Sequence, residues 1–456
     1  MDIPANLELT GLWFFPDAPE KKYLGVLEYK PFEGKCVLAL YGVAIDVSVR
    51  IACINGETTN GKKVTLFSSS VDKNNKNSNN DLSTYTVLSY LDLLIGDSFF
   101  FSRDEVKFQR LSFQCSNLAG WLGYFPFQSF SPSEKEKGFL FKKKEPIKLY
   151  SDENVSILLQ FLMNEATSPF DEVKMKYSPN ILIKAKTEEG IPFWGEKNSL
   201  SFYMRVVDYF FALVIGRRAY SYNMCGAVLK RLDYPSDCIS PTNRKTFPDV
   251  NETLVFPNVK QEQEWFEFLH PSRMTLPYSL IKDQLNSFFA SFLQHFDSFD
   301  YILSDWKMIR NLSSFTNHSL PTLIYNLEGI HESFFPDFKP MGTKHGDNIT
   351  FASRLHDIFL HCLAGLFPFI TEEQIEWIIK DFISIRKEDA HAKKRQPFSW
   401  GYRFNLILLV EFAIFFLILK QTYQLESNFL NPSALGWDDL QRDLPVLINE
   451  RMKSQQ

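Results

Sequence analysis

Tyr278–Phe296 reads YSLIKDQLNSFFASFLQHF. Its apolar residues Ile281, Leu285, Phe288, Phe289, Phe292 and Phe296 recur at intervals of three and four, which sets them on one face of a helix. From about residue 276 the period of the chain is helical, whereas short runs of β-formers fill most of what comes before.

Toward the C-terminus the same spacing returns. Leu323, Ile324, Leu327, Ile330 and Phe334 mark a helix over Leu320–Phe334, and Leu355, Ile358, Phe359 and Cys362 mark another over Phe351–Leu366. Thr371-Glu372-Glu373-Gln374 has the form of a capping box, in which threonine and glutamine side chains each reach a free amide at a helix start. The helix it opens carries Ile375, Ile378, Ile379, Phe382 and Ile383 and then Arg386, with Pro397 at or just beyond its end. Tyr402–Leu425 reads as the last long helix. Four or five such helices with short joints predict a bundle. Phe404–Leu419 is nearly all apolar but is interrupted by Asn405 and Glu411. A membrane span needs roughly 20 apolar residues. A helix buried in the bundle or at a dimer interface fits better, and no stable membrane insertion is expected.

Toward the N-terminus, strands are expected at Gly25–Tyr29, Cys36–Tyr41, Ala44–Val49, Thr84–Leu88, Ser98–Phe101, Val106–Phe113 and Ile181–Lys186. The polar run Asp72–Asp81 reads as a loop tip, and Lys142, Lys143 and Lys144 as a solvated cluster. Leu118–Leu122 reads as a short helix or turn and Leu200–Val214 as a buried helix. Residues 233–262, with Pro235, Pro241, Pro248 and Pro257, read as a loop-like transition. The expected class is α+β: a β-rich domain over residues 1–270, then an all-α bundle over 271–456.

Composition narrows the function. The chain is 45% hydrophobic and 23% charged, so it packs a core. Its net charge of -5 makes any nucleic-acid site a local patch. Its six cysteines are scattered without a C-x-x-C pair, which favours free thiols in a reducing, cytoplasmic setting and gives no structural metal site. Met1–Asn6 has no secretory pattern. All eight histidines lie from His270 onward, so histidine chemistry belongs to the bundle. His331, between Glu328 and Glu332, reads as a surface histidine. His356 and His361 read as satisfied core or surface residues.

Arg386-Lys387-Glu388-Asp389-Ala390-His391 is the one chemical motif. A histidine exchanges a proton near neutral pH, and a guanidinium is a fork-shaped donor suited to phosphate oxygens. Together they are a minimal kit for cleaving a phosphodiester without metal or cofactor. On an ideal helix the two lie about 140° apart, so one copy cannot present both to one phosphate unless the helix end loosens. Lys387 shares a face with His391. With Lys393, Lys394 and Arg395 it gives a local basic excess suited to a nucleic-acid backbone. Asp389 and Glu411 are possible supporting residues.

An R-x4-H motif closing the third long helix of a C-terminal bundle, ahead of an apolar helix, resembles the HEPN superfamily. Leu323–His331 is similar to the second helix of such domains. Leu9–Trp13, Leu24–Leu27, Val37–Gly42 and Phe113 to Trp121 resemble the N-terminal domain of the ApeA-like branch. The resemblance implies a metal-independent endoribonuclease of bacterial anti-phage defence, acting by abortive infection. It implies a homodimer or higher homo-oligomer whose two motifs share a cleft, with tRNA or another cellular RNA as substrate and a phage-derived trigger. His391 would be the acid/base residue and Arg386 the phosphate anchor. Lys387 stands where asparagine or aspartate is common. Two other readings stay open: a HEPN-type scaffold that binds RNA or nucleotide, or only dimerises, without cutting; and a membrane-associated effector resting on residues 404–419.

Overall fold

The computed structural model describes residues 6–46, 48, 50–71, 85–123, 127–133, 136–141, 144–167, 173–217, 219–229, 250–257, 269–310, 318–339, 349–390, 398–423 and 436–455. The strands are β1 (Leu7–Phe14), β2 (Tyr23–Lys30), β3 (Lys35–Tyr41), β4 (Arg50–Thr58), β5 (Lys63–Val71), β6 (Tyr85–Ser89), β7 (Asp92–Gly96), β8 (Lys107–Phe108), β9 (Arg110–Cys115), β10 (Phe127–Ser133), β11 (Glu136–Phe141), β12 (Ile147–Ser151), β13 (Val155–Thr167), β14 (Val173–Ala185), β15 (Ile191–Pro192), β16 (Ser221–Leu229) and β17 (Val250–Pro257). The helices are α1 (Leu118–Leu122), α2 (Leu200–Ile215), α3 (Tyr278–Ile281), α4 (Leu285–His295), α5 (Asp300–Arg310), α6 (Ser319–Phe334), α7 (Phe351–Asp357), α8 (Glu372–Ala390), α9 (Trp400–Tyr423) and α10 (Trp437–Gln455). The chain is α+β, with a β-rich N-terminal region followed by a helical C-terminal region.

Two compact units divide it. One comprises Met1–Ala119, Tyr124–Asp208 and Ala219–Phe268; the other comprises Gly120–Gly123, Tyr209–Arg218 and Leu269–Gln456. In the first, β5-β4-β1-β2-β3-β6 pair antiparallel in series, and β6 pairs back onto β5, closing a ring. Closure removes exposed strand edges. Strand β5 serves two sheets because β6 covers only Ser70 and Val71, while β7 covers Lys63–Phe67. Alternate residues of the ring point inward, so Trp13, Leu27, Leu38, Leu40, Ile54, Val64, Leu66 and Leu88 form its core. Gly56 lies under the Trp13 ring, which a Cβ there would strike. From β7 the sheet continues through β17, β16, β9, β14 and β13 to β12.

The local chemistry explains where the sequence misleads. Ala44, Ile45 and Asp46 are not strand: the Asp46 carboxylate accepts from the Ser48 amide (2.8 Å) and hydroxyl (2.6 Å), a turn that competes with a ladder. Ser98–Phe101 is not strand either, the Phe100 amide donating to the Thr65 hydroxyl at 3.1 Å; the strand is β7. Within the Pro-rich 233–262, β17 pairs with both β16 and β7. Asp72–Asp81, Lys142 and Lys143 lie outside the described residues, and Lys144 sits over the Phe161 ring at 4.9 Å. Five cysteines, Cys36, Cys53, Cys115, Cys225 and Cys362, are free thiols.

In the second unit α9 packs against α4, α6 and α10 and is buried along nearly all its length. Among the described residues it is the one helix long and apolar enough to cross a membrane, and most of it lies inside the unit. Phe210 meets Phe288, Phe289 and Phe292 with ring centroids 4.9–5.5 Å apart. The Trp121 indole donates to the Leu276 carbonyl at 2.8 Å. The expected box at the start of α8 is present: the Thr371 amide donates to the Gln374 side chain (2.9 Å) and the Gln374 amide to the Thr371 hydroxyl (3.2 Å). Helices α5 and α10 are additions to the sequence reading. The latter contains Pro445, which breaks the sequence signal without ending the helix.

Candidate functional site

Helix α8 turns Ile378, Ile379, Phe382 and Ile385 into the core. Arg386 stands four residues after Phe382 and seven after Ile379, so it follows that stripe and faces α6. Its Nη1 meets the Glu328 carboxylate of α6 at 3.0 Å. Its guanidinium carbon lies 4.3 Å from the centroid of the Phe351 ring and 5.3 Å from that of Tyr325. Two aromatic faces thus flank the guanidinium, an arrangement worth about 0.5–1 kcal/mol per ring at such a half-open position. The side chain is 33% exposed. Among the described residues its Nε and Nη2 make no hydrogen bond, so that edge of the fork is unused. This is a cation fixed in orientation with donors to spare, as an anion site requires.

Lys387, next along the helix, is exposed. Asp389 lies on α8, and His391, Lys393, Lys394 and Arg395 lie outside the described residues. Glu411 is buried in the middle of α9. The carboxylate that holds Arg386 is Glu328.

A second constellation is one the sequence reading missed. His331 is fully buried rather than on the surface, because it stands four residues after Leu327 and seven after Ile324, on the apolar stripe of α6. Phe335 and Phe338 pack on its ring. Its Nε2 lies 2.7 Å from the Asp357 carboxylate and its Nδ1 3.3 Å from the Arg354 guanidinium, which also meets Glu332 at 3.5 Å. A guanidinium only donates, so Nδ1 carries the lone pair and the ring proton sits on Nε2, donating to Asp357. Burial holds the imidazole below its ordinary pKa, with Asp357 opposing. Both nitrogens are satisfied in the neutral ring.

Past Asp357, Ile358–Cys362 is a π-helical turn, with the Leu363 amide bonded to the Ile358 carbonyl at 2.8 Å. The wider turn swings Cys362 onto the side of Asp357, Sγ to Oδ2 3.4 Å, although five residues of α-helix would part them. Burial, with the Asp357 charge adding to it, pushes the Cys362 thiol up to about 12, so it is not a ready nucleophile. The donors of His331, Asp357 and Cys362 lie within 4.8 Å of one another, close enough for one metal ion. To bind it, His331 would have to move its proton to Nδ1, against the Arg354 guanidinium, so the donor set favours the hydrogen-bonded form. Beside the cluster opens a cleft of about 620 Å³ lined by Phe334, Phe335, Phe338, His361 and Lys420, with Asp357 in its wall. His361 is exposed, and His356 pairs with Glu376 at 3.1 Å on the surface.

The model of the family described as ApeA N-terminal domain 1 matches residues 8–292. The chain belongs to this family. The match spans the closed ring, the extended sheet and the opening helices of the second unit through Phe292. ApeA membership points to anti-phage defence. No curated protein and no solved structure matches the chain.

Proposed function

We propose that this ApeA-family chain is a cytoplasmic anti-phage effector whose helical region is a HEPN-type endoribonuclease, with Arg386 and His391 as its catalytic residues. The observation that carries the reading is the seat of Arg386: a guanidinium braced by Glu328, Phe351 and Tyr325, with one edge unused and a third of the side chain in solvent, five residues before a histidine. In a dimer, two motifs would line one groove. His391 would take the proton of a ribose 2′-OH, whose oxygen attacks the adjacent phosphorus. The bond from phosphorus to the 5′-oxygen breaks, and that oxygen receives a proton, leaving a 2′,3′-cyclic phosphate and a 5′-hydroxyl. Arg386 would donate its free edge to the non-bridging oxygens as negative charge gathers there. Lys387, Lys393, Lys394 and Arg395 would attract the backbone. Neither step calls on a metal. The β-rich region would sense a phage-derived trigger and restrain the nuclease until it arrives.

The test compares wild type, Arg386→Ala and His391→Ala in phage-challenged cells, with total RNA run on a gel. RNA fragments and protection in the wild type, both lost in the two folded variants, support the reading. Protection that persists in both variants with intact RNA refutes it. The second reading, a bundle that binds RNA or a nucleotide without cutting, draws on the aromatic cleft beside His331, whose volume suits a small ligand.

A further inference from the structure

Glu328 is an unexpected neighbour for a residue that would hold phosphate, since a carboxylate beside the anchor repels the substrate. Its geometry gives it a different task. The Phe351 and Tyr325 rings hold the Arg386 guanidinium carbon 4.3 and 5.3 Å from their centroids, but a ring face makes no directional bond that would stop the group from turning. The ion pair from Arg386 Nη1 to Glu328 opposes that turn and leaves the Nε/Nη2 edge without a hydrogen bond among the described residues. Glu328 is itself well held: it lies on α6, and three residues further on His331 ties that helix to α7 through Asp357 and Arg354. Phe351 opens α7. The two helices that flank Arg386 are therefore locked to each other one turn away from it.

We propose that Glu328 is a positioning residue for RNA cleavage, aiming the free edge of Arg386 at the scissile phosphate at some cost in substrate affinity. The inference rests on the ribonuclease reading above. It predicts an uncommon kinetic signature. Removing the charge while keeping the shape, Glu328→Gln, leaves Arg386 mis-aimed, so kcat falls by about 10- to 100-fold, the range expected when a catalytic group is displaced by about an ångström. KM stays level or drops, because a negative charge next to the phosphate is gone. A residue that only supported the fold would lower kcat and the melting temperature together and would not improve KM.

The experiment uses the purified full chain and a labelled single-stranded RNA, with wild type, Glu328→Gln, Glu328→Asp and Arg386→Ala compared by rate, KM and thermal melting. The expected result is active wild type, inactive Arg386→Ala, low kcat without a raised KM in Glu328→Gln, and partial recovery in Glu328→Asp. Wild-type kcat and KM in a folded Glu328→Gln overturn the role of Glu328 while leaving the ribonuclease reading in place. A rise in KM at constant kcat overturns it too, since Glu328 would then serve binding. If Glu328→Gln unfolds, Glu328→Asp decides: full activity in that shorter side chain excludes an aiming role. Equal rates in wild type and Arg386→Ala bring down the ribonuclease reading, and this proposal with it.

Discussion

The helical region holds two polar constellations that both draw on α6 and α7, one around His331 of α6 and one around Arg386 of α8, and they are built to opposite plans. At His331 the ring is fully buried and each nitrogen has a protein partner, Asp357 on one side and Arg354 on the other. At Arg386 one nitrogen is tied to Glu328 while the other two nitrogens make no hydrogen bond among the described residues, and the group reaches solvent. A buried polar network with every bond made costs little to keep and specifies how helices meet. A charged fork held still with bonds unmade keeps donors available to an anion. The first plan reads as architecture, the second as chemistry.

The sharpest way to break the comparison is to exchange the expected effects. Arg386→Ala is expected to lower RNA cleavage by about 100- to 1000-fold, the loss typical for one charge-stabilising donor. It should lower the unfolding free energy by only about 1–2 kcal/mol, from two half-open cation–ring contacts and a partly exposed ion pair. His331→Ala is expected to do the reverse in part. It should cost about 2–4 kcal/mol in urea unfolding through a cavity beneath Phe335 and Phe338 and an orphaned pair of partners. Cleavage by the surviving folded fraction should persist. A stable but inactive His331→Ala would make the buried cluster catalytic and erase the distinction.

Smaller effects sharpen it. Phe351→Leu removes one aromatic face from Arg386 and is expected to slow cleavage by roughly five- to tenfold, in line with about 1 kcal/mol for a cation over a ring. A pH titration of stability isolates His331. Its folded pKa lies below its ordinary value near 6.5, so the unfolded chain takes up a proton more readily than the folded one. Its contribution is whole above about pH 6.5 and is lost as the pH falls toward the lowered folded value. Asp357 and Glu332 limit the effect and Arg354 adds to it. His331→Leu should flatten that part of the profile; an unchanged slope would mean that another group carries it.

The division between legible and hidden follows from what periodicity can carry. The stripes of α4, α6 and α8 and the box at Thr371 were readable because each is a local pattern. His331 was readable in principle from its spacing to Ile324 and Leu327. The flanking Glu328 and Glu332 masked it. Asp357 and Cys362 could not be paired in advance, since their meeting depends on a π turn that helical spacing forbids. Glu328 as the partner of Arg386 is likewise a fact of tertiary packing, since the two are 58 residues apart in the chain. The Ala44–Val49 run failed for the opposite reason: its β-branched residues spoke for a strand, and one aspartate made a turn.

Helix α2 bears on how the protein can be taken apart. Leu200–Asp208 counts with the first unit and Tyr209–Ile215 with the second, without a break in the helix. A fragment begun at Leu269 would carry every residue of the R-x4-H motif, yet it would leave behind Trp121 and Phe210. Phe288, Phe289 and Phe292 would then present bare rings to water where Phe210 now covers them. Such a fragment would be prone to clump, and silence from it in an assay would reflect a lost aromatic seam rather than an absent trigger. The family match, which runs on to Phe292, respects that seam where a cut by linear position does not.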